Sequence, residues 1–257
     1  MDYIIASDLG QSNDPVANIV LGRERIAPDA PVSITEGDPV ENIPADDFQF
    51  SLLLIETLPI GTHYADVVER IETLATHPRL RGRCNIVVDR TGIGRAVVDL
   101  VRCLDAASLI TWGITISSGK KEARDPKSPM DWSVPKKDLV GILLLALQRE
   151  RIKARDGIPG GELLKEQLLT FRKDVRETGY TSFEAKGKDH DDLVLALCMG
   201  LWISQMLPYD EEVSGQPATA AAIDGHVTIL PGMQPLHRPI PTWRTQDQVR
   251  AKSDYLM

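Results

Sequence analysis

Lys188-Asp189-His190-Asp191-Asp192 stands directly ahead of an apolar run, Leu193 to Leu207, in which Leu, Val, Ala, Met, Trp and Ile fall on nearly every side. Such a run reads as a buried helix. Asp189 has the chemistry of an N-cap, which places Asp191 and Asp192 in the first turn. Acids there complement the positive end of the helix dipole. Three acids and a histidine are more than capping needs. Carboxylates held together at the edge of a core repel one another unless a cation lies between them. The chemistry this cluster suggests is therefore divalent-metal binding, with further ligands supplied from elsewhere in the chain.

Two aspartates stand where such ligands are wanted. Asp8 follows the apolar stretch Tyr3 to Ser7 and precedes the turn-rich Leu9-Gly10-Gln11-Ser12-Asn13-Asp14-Pro15. Taken alone it reads equally well as a turn residue before Gly10. Asp89 closes the short apolar stretch Cys84 to Val88, and Arg90-Thr91-Gly92-Ile93-Gly94-Arg95 leads on to a helix from about Ala96 to Leu104. A strand ending in an acid, then a glycine turn, then a helix, places functional side chains at one edge of a sheet. There is no GxGxxG here and no GxxxxGK[ST] anywhere, so no nucleotide-triphosphate motor is expected in this chain. If the first and fourth strands are neighbours, Asp8 and Asp89 lie side by side and the late helix can bring its N-terminus over them. Converging carboxylates suit the hard cations Mg²⁺ or Mn²⁺. Two such ions activate a water and stabilise the leaving oxygen in phosphodiester hydrolysis.

The elements that must position these acids follow from the apolar pattern. Strands are expected at Tyr3 to Ser7, Val16 to Leu21, Phe48 to Thr57, Cys84 to Val88 and Leu109 to Ser117, the first two forming a hairpin. Residues 22–47 read as an irregular excursion or long hairpin arm. Thr62 is the expected N-cap of a helix that uses Tyr64, Val67, Val68, Ile71 and Leu74 and ends at His77-Pro78. Residues 118–133 read as a surface loop. A helix opens at Val134-Pro135-Lys136-Lys137 and runs to about Glu150. Ile152-Lys153-Ala154 is a brief extended piece, and Pro159-Gly160-Gly161 breaks the chain. Another amphipathic helix covers Glu162 to about Arg176, and Thr181 to Ala185 reads extended. The sum is an α/β protein with a mixed five-stranded sheet flanked by helices. Residues 1–206 form this domain, and 207–257, rich in Pro, Ala, Gln and Asp, form an extended or partly disordered tail.

The chain has 257 residues and a formal net charge of −8, which argues against a broadly basic nucleic-acid-binding surface but not against a local basic groove. Basic residues do cluster, at Arg79-Arg83, Lys120-Arg124, Lys136-Lys137, Arg149-Arg155 and Lys186-Lys188. Cys84, Cys103 and Cys198 lie in apolar contexts without paired spacing and read as reduced core thiols of an intracellular protein. No apolar run reaches membrane-spanning length, so no membrane partner is expected.

Asp8-Leu9-Gly10 after the first strand, Val87-Val88-Asp89-Arg90-Thr91-Gly92-Ile93-Gly94 after the fourth, and His190-Asp191-Asp192-Leu193-Val194-Leu195-Ala196 at the last helix together resemble the nuclease domain of phage terminase large subunits. The resemblance spans about residues 1–206, and its third motif is the most specific. It implies an RNase H-like fold and an endonuclease that cuts concatemeric viral DNA with two Mg²⁺ or Mn²⁺ ions. It assigns Asp8 and Asp89 as catalytic metal ligands and Asp191 as the third, with Asp192 either sharing the metal or holding its environment, so that both acids of the pair are catalytic candidates. It also gives His190 a supporting role beside a carboxylate or phosphate, and Lys186 and Lys188 a place on the DNA backbone. Lys120 and Lys121 are further DNA-binding candidates.

Such nucleases usually follow an ATPase motor, whereas this sequence starts at the nuclease's first strand. Either the motor is a separate chain, or this is an excised domain, or the protein is a relative with another role. The partners the resemblance implies, besides double-stranded DNA, are a separate packaging ATPase, a small terminase subunit and a portal. The implied location is the cytoplasm of an infected or prophage-carrying bacterial host. Two other readings compete. Asp8-Leu9-Gly10-Gln11-Ser12 also resembles the first phosphate loop of actin-like and sugar-kinase ATPases, which stack two such halves where this chain has one. A packaging scaffold that binds DNA without cutting is the other.

Overall fold

The computed structural model describes residues 2–10, 14–26, 48–104, 109–177 and 191–207. Three strands open it: β1 (Asp2–Asp8), β2 (Val16–Arg25) and β3 (Phe48–Leu58). Each is rich in β-branched and aliphatic residues, and they pair antiparallel in sequence order. After α1 (Tyr64–Ala75) the chain returns as β4 (Cys84–Asp89), parallel to β1. After α2 (Gly94–Arg102) comes β5 (Ile110–Ser117), parallel to β4. These five strands are contiguous in the sheet in the order β3-β2-β1-β4-β5, with β2 reversed. This is the expected mixed sheet with RNase H-like connectivity.

Three further strands extend it to eight. β6 (Ala123–Asp125) and β7 (Ser128–Pro135) form a hairpin beyond β5, and β8 (Ile152–Ala154) pairs with the start of β3. Residues 118–133 are thus not only a surface loop. A three-residue strand has too few alternating positions for its period to be seen. In β7 the inward position at the middle of the strand is the charged Asp131. Thr62 is not the cap of α1. His63 occupies that position, and the Thr62 hydroxyl instead donates to the Pro59 carbonyl at 2.6 Å, closing the turn. The excursion expected over 22–47 starts later, because β2 runs on to Arg25, paired with β3. Residues 27–47, the extended piece at 181–185 and the tail from 208 lie outside the described residues.

Helices cover both faces, which explains the near-continuous apolar runs of the strands. Tyr3, Ile5, Ile86 and Val88 pack toward α1 and α2. Ile4, Ala6 and Val87 pack on the opposite face, against α3 (Lys136–Gln148) and α5 (Asp192–Ser204) and beside Leu164 of α4 (Gly161–Glu177). Between Asp192 and Ser204 every residue except Leu195 is buried, because α5 lies between the sheet and two helices. Gly200 lets it come that close: a Cβ there would stand 2.8 Å from Leu21 Cδ1 and 3.3 Å from Ala6 Cβ. Gly200→Val is expected to cost ~1–3 kcal/mol through overpacking, measured by urea unfolding.

Polar groups fix the register of these layers. Arg23, 1% exposed, donates from Nη1 to the carbonyls of Ser204 (2.7 Å) and Leu207 (3.1 Å) at the end of α5. Its Nη2 donates to Asp2 Oδ2 at 2.9 Å, and the guanidinium lies 4.6 Å from the centre of the Phe48 ring. On the other face Ser7 Oγ donates to Asn18 Oδ1 (2.8 Å), Asn18 Nδ2 to Glu56 Oε1 (2.9 Å), and Arg70 bidentately to Glu56 (2.8 and 2.6 Å). Cys84 and Cys198 are buried as expected, but Cys103 is exposed at the end of α2. Among the described residues no helix is long and apolar enough to cross a membrane.

Candidate metal centre

Ser7 pairs with Val88 across the parallel β1–β4 ladder. Asp8 and Asp89 are the next residues on these two strands, so they end side by side. Side chains alternate along a strand. Ala6 and Val87 face α5, and Asp8 and Asp89, two residues on, share that face. Each carboxylate is oriented locally. Asp8 Oδ1 accepts from the Gly10 N–H at 3.2 Å, and Asp89 Oδ1 accepts from the Thr91 N–H at 2.8 Å. The Thr91 hydroxyl adds a second bond to Asp89, while its oxygen accepts from the Ile116 N–H at 3.2 Å, tying the turn to β5. Gly94 is required at the start of α2 because any Cβ there would collide with the Asp89 carbonyl oxygen.

Arg90, beside Asp89, braces the same edge. Its Nε lies 3.3 Å from Asp131 Oδ2, and Arg102 Nη2 donates to Asp131 Oδ1 at 2.6 Å. Burial alone would raise the Asp131 carboxyl. Hydrogen bonds from Arg102 and Ser128, with the charges of Arg102 and Arg90, outweigh it and hold the carboxyl below its ordinary value.

The N-cap position of α5 belongs to Asp191, not Asp189, and Asp192 occupies the first turn. Asp189 itself lies outside the described residues. The Asp191 side chain makes no capping bond. Its Oδ2 instead accepts from Lys136 Nζ at 2.8 Å. Lys136 opens α3 immediately after β7, which runs parallel to β5, so it emerges at the end of the sheet where Asp8 and Asp89 stand. The Leu193 N–H of α5 donates to Gln167 Oε1 of α4 at 3.0 Å.

The electrostatics tie these acids together. The Asp8 carboxyl is held well above its ordinary value, first by burial, then by the charges of Asp89 and Asp192. The Gly10 N–H opposes this, and Asp191 adds a smaller upward push. Asp89 is also raised, by burial against the two bonds from Thr91. The sheet edge and the head of α5 thus bring Asp8 within electrostatic reach of Asp89, Asp191 and Asp192. Among the described residues, no three His, Cys, Asp or Glu side chains are drawn closely enough to hold an ion as they stand. The chemistry of the donor set nonetheless fits a hard divalent cation. All donors are carboxylate oxygens, four negative charges are possible, and Lys136 offsets one of them.

Lys120 and Lys121 are exposed on the segment that leaves the C-terminal end of β5, at this same edge. His190, Lys186 and Lys188 lie outside the described residues. Thr91, Lys136 and Gln167 were not anticipated as parts of the site. Gln167 did carry a signal: with Leu164, Leu168 and Phe171 it is the one polar residue in an i, i+3, i+4, i+7 stripe.

No protein-family model matches the chain, and no curated protein matches it significantly. Among solved structures, the human cytomegalovirus terminase nuclease domain is similar over 79% of this chain and 84% of that one, with 13% identity and a TM-score of 0.44. A manganese-soaked form of that domain is similar over 78% and 82%, again with 13% identity, and a TM-score of 0.42.

Proposed function

We propose that this chain is a divalent-metal-dependent DNA endonuclease of the terminase type. The observation that carries the reading is that Asp8 and Asp89 end neighbouring parallel strands on one face, with Asp191 and Asp192 at the head of α5 within electrostatic reach of Asp8. Asp8, Asp89, Asp191 and Asp192 would hold the ions. Asp192 weighs more on Asp8 than Asp191 does, so both stay in the ligand set. When bound, Mg²⁺ or Mn²⁺ would activate a water and stabilise the departing oxygen of the cut phosphodiester. The chain's own groups prepare that site. The Gly10 and Thr91 amides fix the two strand-end carboxylates, and Lys136 holds Asp191 in place.

Lys120 and Lys121 would meet the DNA backbone as point charges, on a chain whose formal net charge is −8. Affinity of the isolated chain is accordingly expected to be weak, largely sequence-independent and sensitive to salt. By the motif resemblance, a packaging ATPase, a small terminase subunit and a portal would bring the cut site to it, in the cytoplasm of an infected or prophage-carrying bacterium.

The test is supercoiled plasmid incubated with the full chain and Mg²⁺ or Mn²⁺. Nicking and linearisation that EDTA stops, and that Asp89→Asn removes, are expected. Failure to cut with either ion, or cutting that survives Asp89→Asn and Asp192→Asn, would refute the assignment. ATP hydrolysis without cleavage would point to the actin-like reading, and DNA binding without cleavage to the scaffold.

A further inference from the structure

An aspartate at an N-cap ordinarily turns its carboxylate back onto the second or third amide of its own helix. Asp191 occupies that position on α5 and does not do so. The first of these two amides, the N–H of Leu193, is already bonded to Gln167 Oε1 at 3.0 Å, from a side chain 8% exposed on α4. The Asp191 carboxylate lies instead on Lys136, 2.8 Å away. The carboxylate is thus turned toward α3 through Oδ2 and makes no bond to its own helix. The ion pair is partly exposed on both sides and attracts weakly. Leu193 is fully buried, and its amide left without an acceptor is the larger cost. With Gln167 on Leu193, that amide makes no demand on Asp191.

We infer that Gln167 is a positioning residue for the acid cluster: it caps α5 from α4, and so keeps the Asp191 carboxylate on Lys136 and turned away from its own helix. This deepens the metal-dependent reading and rests on it only where cation binding is concerned. The orientation of Asp191 stands apart from it. Residues that orient a metal ligand typically change affinity by about ten- to a hundredfold when lost.

The experiment uses the full chain with Gln167→Met, similar in length but without the acceptor, and Gln167→Glu, which keeps one. In EDTA, the unfolding temperatures of Lys136→Met, Asp191→Asn and the pair together give their coupling. That coupling is expected in the wild type and in Q167E, and to be lost in Q167M. Binding of Mn²⁺, followed by its paramagnetic resonance signal, is expected to weaken about tenfold in Q167M and to recover in Q167E. The unfolding temperature of Q167M should change little, because Asp191 takes over the cap. If Q167M instead melts early while Mn²⁺ binding and the coupling match the wild type, Gln167 is only a structural residue and the inference is wrong. If the wild type binds no Mn²⁺, the nuclease reading falls, and the coupling in EDTA still decides the role of Gln167.

Discussion

Asp8→Asn is expected to lower metal-dependent DNA cleavage by ~10³-fold or more while raising the unfolding temperature of the metal-free chain at neutral pH. The two effects have one cause. Asp8 is buried, and the charges of Asp89 and Asp192, with a smaller share from Asp191, press on it against the single favourable bond from Gly10. Its carboxyl therefore ionises in the folded chain only well above the ordinary 3.8. Between the two values the folded chain holds a proton that the unfolded chain has released. Stability falls as pH rises through that window, and the full cost is present above the folded value. Asparagine keeps the oxygen that accepts from Gly10 and removes the charge. The gain in EDTA at pH 7.5 should be ~1–2 kcal/mol, or roughly 2–8 °C for a chain of this size. It should vanish near pH 3, where both forms are neutral. Calorimetry across that range, beside plasmid cleavage in Mn²⁺, measures both halves. An Asp8→Asn protein that melts lower at pH 7.5 would show that Asp8 is not an acid held against its own electrostatics.

Arg23→Ala is expected to be the most damaging single change to stability, ~3–5 kcal/mol, the usual cost of removing one partner from a buried ion pair. One guanidinium there serves the Ser204 carbonyl at the end of α5, the Leu207 carbonyl just beyond it, the Asp2 carboxylate and the Phe48 ring at once. Alanine leaves buried acceptors without their donor and opens space where the side chain packed. Arg23→Lys should recover only a minor part, since an ammonium cannot present a planar fork to acceptors lying in different directions. Urea unfolding followed by tryptophan fluorescence gives the difference, with Trp202 on α5 as a local reporter. A loss below about 1 kcal/mol, the range of a surface pair, would contradict the assigned role.

What the amino-acid order made legible was set by local pattern. Ile4-Ile5-Ala6 and Ile86-Val87-Val88 announce strands, and an acid at the end of each announces a shared edge. The run from Leu193 announces a helix with no solvent face. The partners of these residues were not legible, because they come from far along the chain. Asp191 and Lys136 are separated by 55 residues, and Arg23 and Ser204 by 181. Nothing near Glu56 says that Arg70 and Asn18 will satisfy it inside the core. Asp131 hid β7, because a buried acid held by Arg90 and Arg102 breaks the apolar alternation by which strands are found. Asp189 was the natural choice of cap by residue type. The helix starts two residues later than that choice implies, and Gln167 supplies the bond.

The docking of α5 on β1 and β2 also sets a timetable. Arg25, the end of β2, leaves the ribosome long before Asp192, the start of α5, so the inner face of these strands waits bare until that helix is made. Contacts at such separation form late and expose nascent chains to aggregation. The same delay is a safeguard: a growing or truncated chain can carry Asp8 and Asp89 but never the full acid cluster. Any activity that needs the whole cluster begins only after α5 has been made and has found its place.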